Sequence, residues 1–306
     1  MGRTDVNFAS DGVRCAAWYY RPDGQGPVPC VVMAHGFSAV RDQRLDAFGE
    51  RFAEAGLGCL VFDYRHFGDS AGEPRQLLDI KRQLADWQAA IDFARTLDRV
   101  DSGRIALWGS SFSGGHVVAA AAKDGGVQAV VSQVPFTDIT SALSAVREAA
   151  GASGVLRLTA AALRDQLGAL IGRPPRYLPA AGPPGSLAAM TAPEAQPGFS
   201  AVTSPESSWV NRYTPRVSLR NYRPYAKLAK LSCPVLVVVA DNDRTTPPEP
   251  AVKAAGRAPH AQLVRHPIGH FDLYTGEWFE RVVAEESAFL TRHLLGDRAA
   301  APKVAS

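Results

Sequence analysis

The chain has 306 residues, of which 46% are hydrophobic and 21% are charged, and its formal net charge is +3. This is an ordinary globular composition, and the length is ample for a buried core. No basic block interleaves with aromatic residues, which argues against a nucleic-acid partner. No apolar run approaches the roughly 20 residues of a membrane span, so we expect no such span.

The first residues and the cysteines together predict a cytoplasmic protein. The stretch "MGRTDVNFASDG" lacks the apolar segment of a secretory signal peptide. The cysteines are widely separated and include no CxxC pair, so we expect reduced, buried side chains rather than a metal site. They are Cys15, Cys30, Cys59 and Cys233. We expect no metal, no cofactor and a small-molecule substrate as the partner, with the oligomeric state left open between a monomer and a homodimer.

Taken in chain order, short apolar runs alternate with helical patterns up to residue 133. The predicted strands are residues 14–20, 30–36, 59–65, 104–108 and 127–133. The predicted helices are residues 45–55, 77–97 and 113–123. Fully apolar strands that alternate with helices are typical of a parallel sheet covered on both faces. We therefore predict an α/β fold with a mostly parallel, doubly wound sheet.

Residues 137–224 interrupt this alternation. Two Ala/Leu-rich helical patterns, at 139–149 and 155–171, precede a proline-rich stretch. Insertions of this length in compact domains are often lids, so we predict a helical, proline-rich cap over the active site. Its leucines are expected to line an apolar chamber, and they include Leu156, Leu158, Leu163, Leu167 and Leu170.

The alternating pattern resumes after the predicted cap. Strands are predicted at residues 233–243 and 261–270, and a helix at 278–295. The predicted core therefore comprises residues 1–136 and 225–297. The last stretch, residues 298–306, has the composition of a flexible tail.

Reactive side chains follow several of the predicted strands, where ligands bind in open parallel sheets. Ser110 and Ser111 follow "RIALW", Asp243 follows "PVLVVVA" and His270 follows "AQLVRHPI". A serine, an acid and a histidine in this chain order are expected for hydrolases whose nucleophile lies on a sharp strand-to-helix turn. These residues predict nucleophilic catalysis by a serine.

Five segments together resemble the α/β-hydrolase family. They are "HGF", "FDYRHFGDSAG", "GSSFSG", "ADNDRTTPP" and "GHFDLY". The resemblance implies that Ser111 is the nucleophile, His270 the general base and Asp243 the acid that orients it. It also implies an oxyanion hole made by the backbone N–H groups of Phe37 and Phe112. The expected activity is cleavage of an ester, thioester or related carbonyl substrate, with an apolar acyl part, through an acyl-enzyme.

The segments "YRHFGDSAGEP" and "GSSFSGGHV" are also similar to one branch of that family. This branch lies near dienelactone-hydrolase-like and S15-peptidase-like proteins and includes acyltransferases of polyketide pathways. An acyltransferase that uses the same acyl-enzyme is therefore an alternative function. A peptidase or amidase and a non-catalytic binding protein are further alternatives.

Some residue assignments have competitors. Ser110 at the apex of the turn would place Phe112 where a small residue is needed, which favours Ser111. Ser113 stands where the family motif has its last glycine, and a serine is small enough for that position. His266 competes with His270 because it also ends a predicted strand. Asp138, after the strand at 127–133, is the reserve acid.

Overall fold

The computed structural model describes residues 2–214 and 222–296, which fold around an eight-stranded sheet. In chain order the strands are β1 (Gly2–Ser10), β2 (Val13–Arg21), β3 (Val28–Ala34), β4 (Gly58–Phe62), β5 (Val100–Ser110), β6 (Ala129–Gln133), β7 (Leu178–Pro179), β8 (Arg212–Tyr213), β9 (Val235–Ala240) and β10 (Ala261–His266). The main sheet has the order β1-β2-β4-β3-β5-β6-β9-β10, and β7 pairs with β8 separately. Within the main sheet the pairs β1/β2 and β2/β4 are antiparallel and the others parallel, as predicted for a mostly parallel sheet.

Helices cover both faces of this sheet. They are α1 (Leu45–Glu54), α2 (Ile80–Ala94), α3 (Phe112–Asp124), α4 (Ile139–Leu170), α5 (Ala195–Val202), α6 (Glu249–Ala255) and α7 (Gly276–Leu295), with short 3-10 helices at Pro224–Lys230 and Asp272–Tyr274. One core cluster joins the sheet to α2, α3 and α6 and contains Trp87 and Val117. A second joins the opposite face to α1 and α7 and contains Phe48 and Val282. The doubly wound prediction is therefore correct.

The structure corrects the sequence interpretation at several elements. The strand predicted at 261–270 ends at His266, and α6 was not predicted. The sequence did not predict β1, because only isolated residues of this edge strand are buried and no apolar run marks it. The helix predicted at 77–97 begins later, at Ile80, because the Asp79 side chain accepts a hydrogen bond from the Arg82 amide and caps it. The strand predicted at 59–65 ends at Phe62, after which the chain enters a loop.

The segment predicted to form the cap contains the longest helix of the described chain. α4 is broken at Gly151, whose φ of 68° lies outside helical values, so it consists of two helical parts as the sequence pattern predicts. α5 and the β7–β8 pair follow it. Residues 215–221 of this segment and the predicted tail at 298–306 lie outside the described residues. The division into a core and a cap stays a prediction.

The four cysteines are free and buried, as expected from their spacing. Burial raises the pKa of the Cys15 thiol and of the Cys30 thiol to about 12. These thiols are therefore protonated near neutral pH and unreactive as nucleophiles.

The carboxyl group of Glu286, in α7, is fully buried against β5, the strand that leads to Ser111. Its Oε2 accepts a hydrogen bond from Trp108 Nε1 at 2.8 Å. Its Oε1 has no partner among the residues that the structure describes. Burial raises the pKa of Glu286 from its ordinary 4.5 to about 8, because an apolar interior disfavours the charged form.

We predict that Glu286→Gln flattens the pH dependence of stability. The unfolded chain releases this proton near pH 4.5, whereas the folded chain keeps it to about pH 8. The folded state therefore binds more protons over this window, and the free energy of unfolding falls as pH rises through it. Denaturant unfolding at pH 5, 6.5 and 8.5 measures the effect: the variant should gain stability relative to wild type as pH rises. Parallel pH profiles of the two proteins would contradict the prediction.

Candidate active site

Ser111 is the single residue between strand β5 and helix α3. Its backbone has φ 59° and ψ −120°, a conformation that non-glycine residues rarely adopt and that costs on the order of 1–3 kcal/mol. Two hydrogen bonds hold it in place. The Ser111 amide donates to the Gln133 carbonyl at 2.9 Å, and the Ser111 carbonyl accepts from the Phe136 amide at 2.8 Å. The end of β6 and the residues after it therefore hold the turn that carries the Ser111 hydroxyl.

Glycines allow the helix to pack this closely on the sheet. A Cβ at Gly109 would lie 2.4 Å from the Ser113 carbonyl oxygen, and a Cβ at Gly115 would lie 2.4 Å from the Phe136 carbonyl oxygen. Neither position could accept a side chain without movement of backbone. Ser113, at the position of the family's last glycine, is fully buried, and its Oγ lies 3.1 Å from the Tyr64 hydroxyl. A serine therefore fits this site because its hydroxyl has a partner.

The structure brings together the three residues that the sequence predicts as catalytic. His270 Nε2 lies 3.1 Å from Ser111 Oγ, and His270 Nδ1 lies 2.6 Å from Asp243 Oδ2. All three side chains are buried. An imidazole held between a hydroxyl and a carboxylate can take the hydroxyl's proton while the carboxylate stabilises the charge that forms.

The loop after β9 holds the Asp243 carboxylate in position. Asp243 Oδ1 accepts hydrogen bonds from the amides of Thr245, at 2.8 Å, and Thr246, at 2.7 Å. The Thr246 hydroxyl lies 2.8 Å from Asp243 Oδ2 and 3.1 Å from His270 Nδ1. Thr246 was not predicted as a site residue, since its only signal in the sequence is a hydroxyl side chain three residues after the predicted acid.

The competing residues are engaged elsewhere. Ser110 Oγ lies 2.5 Å from the Tyr274 hydroxyl. His266 Nε2 lies 2.9 Å from Glu285 Oε2. The Asp138 side chain caps α4. The geometry therefore favours Ser111, His270 and Asp243 over each of these alternatives.

The backbone amides of Phe37 and Phe112, which are predicted to form an oxyanion hole, belong to the two segments next to Ser111. Phe112 is the first residue of α3, where an amide has no partner within the helix. The loop that carries Phe37 touches the serine, since a Cβ at Gly36 would lie 2.9 Å from Ser111 Cβ. Within residues 2–214 and 222–296, neither amide donates to a backbone carbonyl. Among these described residues both amides are therefore available to a negative charge, and their role as an oxyanion hole stays a prediction.

The loop before Phe37 is fixed by a neutral histidine and a buried ion pair. His35 Nδ1 lies 2.9 Å from the Gly36 carbonyl, to which it donates. Burial lowers the pKa of His35 to about 3, so the ring is uncharged. Arg41 Nη1 lies 2.7 Å from Asp63 Oδ2, and the Arg41 amide donates to Asp63 Oδ1 at 2.8 Å. These contacts position the loop that supplies the Phe37 amide.

A cavity of about 730 Å³ opens above Ser111 and is mostly apolar. Phe37, Phe112 and Phe136 line its base, and α4 lines its other side with Leu143, Leu158 and Leu163 among others. The expectation for the cap leucines is only partly correct. Leu158 and Leu163 line this cavity, although Leu163 is also exposed. Leu156, Leu167 and Leu170 are exposed and do not line it, because α4 contacts the cavity along one face only.

The described residues include no group of three or more His, Cys, Asp or Glu side chains that could hold a metal ion. The expectation of no metal and no cofactor stays a prediction. In the same parts of the chain, no helix has both the length and the apolar character needed to cross a bilayer.

Comparisons with known proteins identify relatives of the whole chain. The model of the family described as X-Pro dipeptidyl-peptidase (S15 family) matches residues 11–272. The quorum-quenching protein AidA of Acinetobacter baumannii is 44% identical over 290 residues, which cover 94% of each chain. A thiohydrolase of Eupenicillium brefeldianum is 25% identical over 301 residues, which cover 95% of this chain and 94% of the relative.

A solved structure supports the same relationship. The crystal structure of the α/β-hydrolase GrgF from Penicillium sp. sh18 superposes with a TM-score of 0.79 at 26% identity, covering 96% of this chain and all of that one. The α/β-hydrolase fold and the S15-peptidase-like branch expected from the sequence are thereby confirmed. The relatives include hydrolases, so the chain is a hydrolase by family.

We predict that Asp138→Ala lowers the free energy of unfolding by about 1 kcal/mol, the usual effect of removing a helix N-cap. Asp138 accepts a hydrogen bond from the Ser141 amide at 3.0 Å and makes no contact with His270 among the described residues. Denaturant unfolding gives the stability change, and ester hydrolysis gives the activity, which should fall by less than about threefold because the variant stays folded. A collapse of activity at unchanged stability would contradict this role.

Proposed function

This chain belongs to the X-Pro dipeptidyl-peptidase (S15) family of α/β-hydrolases, and on that premise we propose that it is a serine hydrolase. It cleaves an ester, thioester or related carbonyl substrate with an apolar acyl part. The observation that carries this proposal is the continuous series of contacts from Ser111 Oγ through His270 to Asp243, at 3.1 Å and 2.6 Å.

In the first half-reaction, His270 Nε2 takes the proton of Ser111 as Oγ attacks the substrate carbonyl carbon. The imidazolium that forms is stabilised by Asp243, which lies at 2.6 Å from Nδ1. The oxygen that becomes negative binds the amides of Phe37 and Phe112. Each such donor typically contributes on the order of 10²–10³ in rate. His270 then gives its proton to the leaving group, and the acyl-enzyme remains.

The cavity supports an ester or thioester rather than a dipeptide with a free N-terminus. A protonated amino terminus needs a carboxylate partner when it is buried. The described residues that line the 730 Å³ cavity include no Asp or Glu, and Arg244 is their only charged side chain. An uncharged acyl chain meets Phe136, Ile139 and Leu158 without such a cost.

The relatives support two finer proposals about the substrate. One relative, 44% identical, is named for quorum quenching, which favours a diffusible signal with a hydrolysable carbonyl and an apolar chain. A lactone is an internal ester, so acylated lactones belong to this class.

Another relative, from Penicillium sp. and 28% identical, is named a polyketide transferase. It supports acyl transfer as the second candidate function.

The substrate class is tested by hydrolysis of p-nitrophenyl esters with acyl chains from two to twelve carbons, together with an acyl thioester and an acylated lactone. We expect kcat/KM to rise with chain length until the cavity is full, by up to about tenfold for each added pair of carbons. Equal rates for acetyl and decanoyl esters would contradict an apolar acyl site.

We predict that Ser111→Ala folds normally and loses labelling by a fluorophosphonate probe. The probe phosphonylates an activated serine, and Ser111 Oγ lies 3.1 Å from His270 Nε2. Ser110→Ala is the matched control and should keep its labelling. Full labelling of Ser111→Ala, with loss in Ser110→Ala, would move the nucleophile to Ser110.

We predict that Asp243→Asn lowers kcat by about 10⁴, as in other serine hydrolases of this type. The amide would donate to His270 Nδ1 and so hold the imidazole in the wrong tautomer. Asp241→Asn is the control, because Asp241 pairs with Arg265 on the surface at 2.9 Å. The measurement is kcat for a p-nitrophenyl ester, and similar losses in the two variants would contradict the role of Asp243.

A further inference from the structure

Tyr213 of β8 lines the cavity of about 730 Å³ together with Ser111. The centroid of its ring lies 4.8 Å from that of Phe37, in an edge-to-face arrangement, and the Phe37 ring lies 5.7 Å from that of Phe112. The amides of Phe37 and Phe112 are predicted to bind the oxygen of the scissile carbonyl. Tyr213 therefore lies beside the part of the cavity that the first carbons of an acyl chain would occupy.

Hydrogen bonds hold the backbone of Tyr213 at the wall of this cavity. Tyr213 pairs with Leu178 in the β7–β8 ladder. The amide of the next residue, Thr214, donates to the Gln76 carbonyl at 3.2 Å. Tyr213 is buried, with 5% of its surface exposed. Its position is thus fixed both by the cap segment and by the loop that precedes α2.

The hydroxyl of this buried tyrosine has no hydrogen-bond partner among residues 2–214 and 222–296. Thr191 also lines the cavity, and its hydroxyl is likewise without a partner but is enclosed by protein atoms. The Tyr213 hydroxyl is not enclosed in this way. Since Tyr213 lines the cavity and is otherwise buried, its hydroxyl is open to the cavity.

This hydroxyl can donate a hydrogen bond at neutral pH. Burial raises the pKa of Tyr213 well above its ordinary value, so the phenol keeps its proton. Packing against Phe37 does not require the hydroxyl, because a phenylalanine would make the same ring contact. A plain alkyl chain beside the hydroxyl would exclude water and leave the donor unpaired, whereas an oxygen on the chain would accept its hydrogen bond.

We propose that the Tyr213 hydroxyl determines substrate specificity by donating a hydrogen bond to an oxygen on the acyl chain near the scissile carbonyl. The preferred substrate then carries a ketone or hydroxyl oxygen on one of the first carbons after the carbonyl group. This proposal rests on the proposed acyl-enzyme at Ser111, whose acyl chain passes Tyr213 in the cavity.

The test compares p-nitrophenyl octanoate with its 3-oxo, 4-oxo and 5-oxo derivatives, which place a ketone at successive positions along the chain. For each derivative, kcat/KM is divided by that for octanoate, and this quotient is called the oxo preference. The ratio of oxo preferences between wild type and Tyr213→Phe cancels the intrinsic reactivity of each ester and the fraction of protein that is folded.

We expect Tyr213→Phe to lower the oxo preference by about tenfold for at least one of the three derivatives, the usual effect of losing one hydrogen bond. Its kcat/KM for octanoate should equal or exceed that of wild type, because no donor is then left unpaired. Its unfolding midpoint in denaturant should not fall, because the hydroxyl has no partner among the described residues.

Thr191→Val is the matched control, because it removes the enclosed hydroxyl from another residue that lines the cavity. It should leave the oxo preference as in wild type. An unchanged oxo preference in Tyr213→Phe for all three derivatives, or an equal fall in Thr191→Val, would overturn the proposal. A lower unfolding midpoint in Tyr213→Phe would also overturn it, since the hydroxyl would then have a structural role. Absence of hydrolysis of all four esters by wild type would instead overturn the proposed function.

Discussion

The close approach of helix α3 to strands β5 and β6 is the constraint on which the rest of the site depends. It requires small residues at Gly109, Gly114 and Gly115, where added Cβ atoms would lie 2.4–2.8 Å from backbone oxygens. It also forces Ser111 to a positive φ of 59°. The serine hydroxyl consequently lies at the edge of the sheet, 3.1 Å from His270 Nε2. A looser turn would lose this contact.

Much of this arrangement could be predicted from the sequence, because the strand ends carry distinctive short motifs. "GSSFSG" marked the turn, and the order of Ser111, Asp243 and His270 along the chain matched the order of their strands. The parallel sheet was predictable because its central strands are continuous apolar runs. Only the three-dimensional structure distinguishes Asp243 from Asp138 as the acid of the site. Both follow predicted strands, but only Asp243 contacts the imidazole of His270.

Other features depend on contacts between distant segments and carry no local signal. Four of the five leucines that were predicted to line the chamber are exposed, because periodicity identifies an apolar face but not the surface that it meets. Edge strand β1 lacks the apolar run by which central strands are recognised. Helix α5 packs on the ring of Phe271, which follows Phe199 by 72 residues, so this contact could not be predicted from either segment alone.

The central claim, an acyl group carried on Ser111, is tested most directly by trapping it. Wild-type protein is mixed with p-nitrophenyl octanoate, quenched in acid during the burst and digested with trypsin, and the peptide that spans residues 105–123 is fragmented in a mass spectrometer. The account predicts an added octanoyl group on Ser111, and none on Ser110 or Ser113. An acyl group on another residue, or steady hydrolysis with no trapped acyl-enzyme and an unmodified peptide, would contradict it.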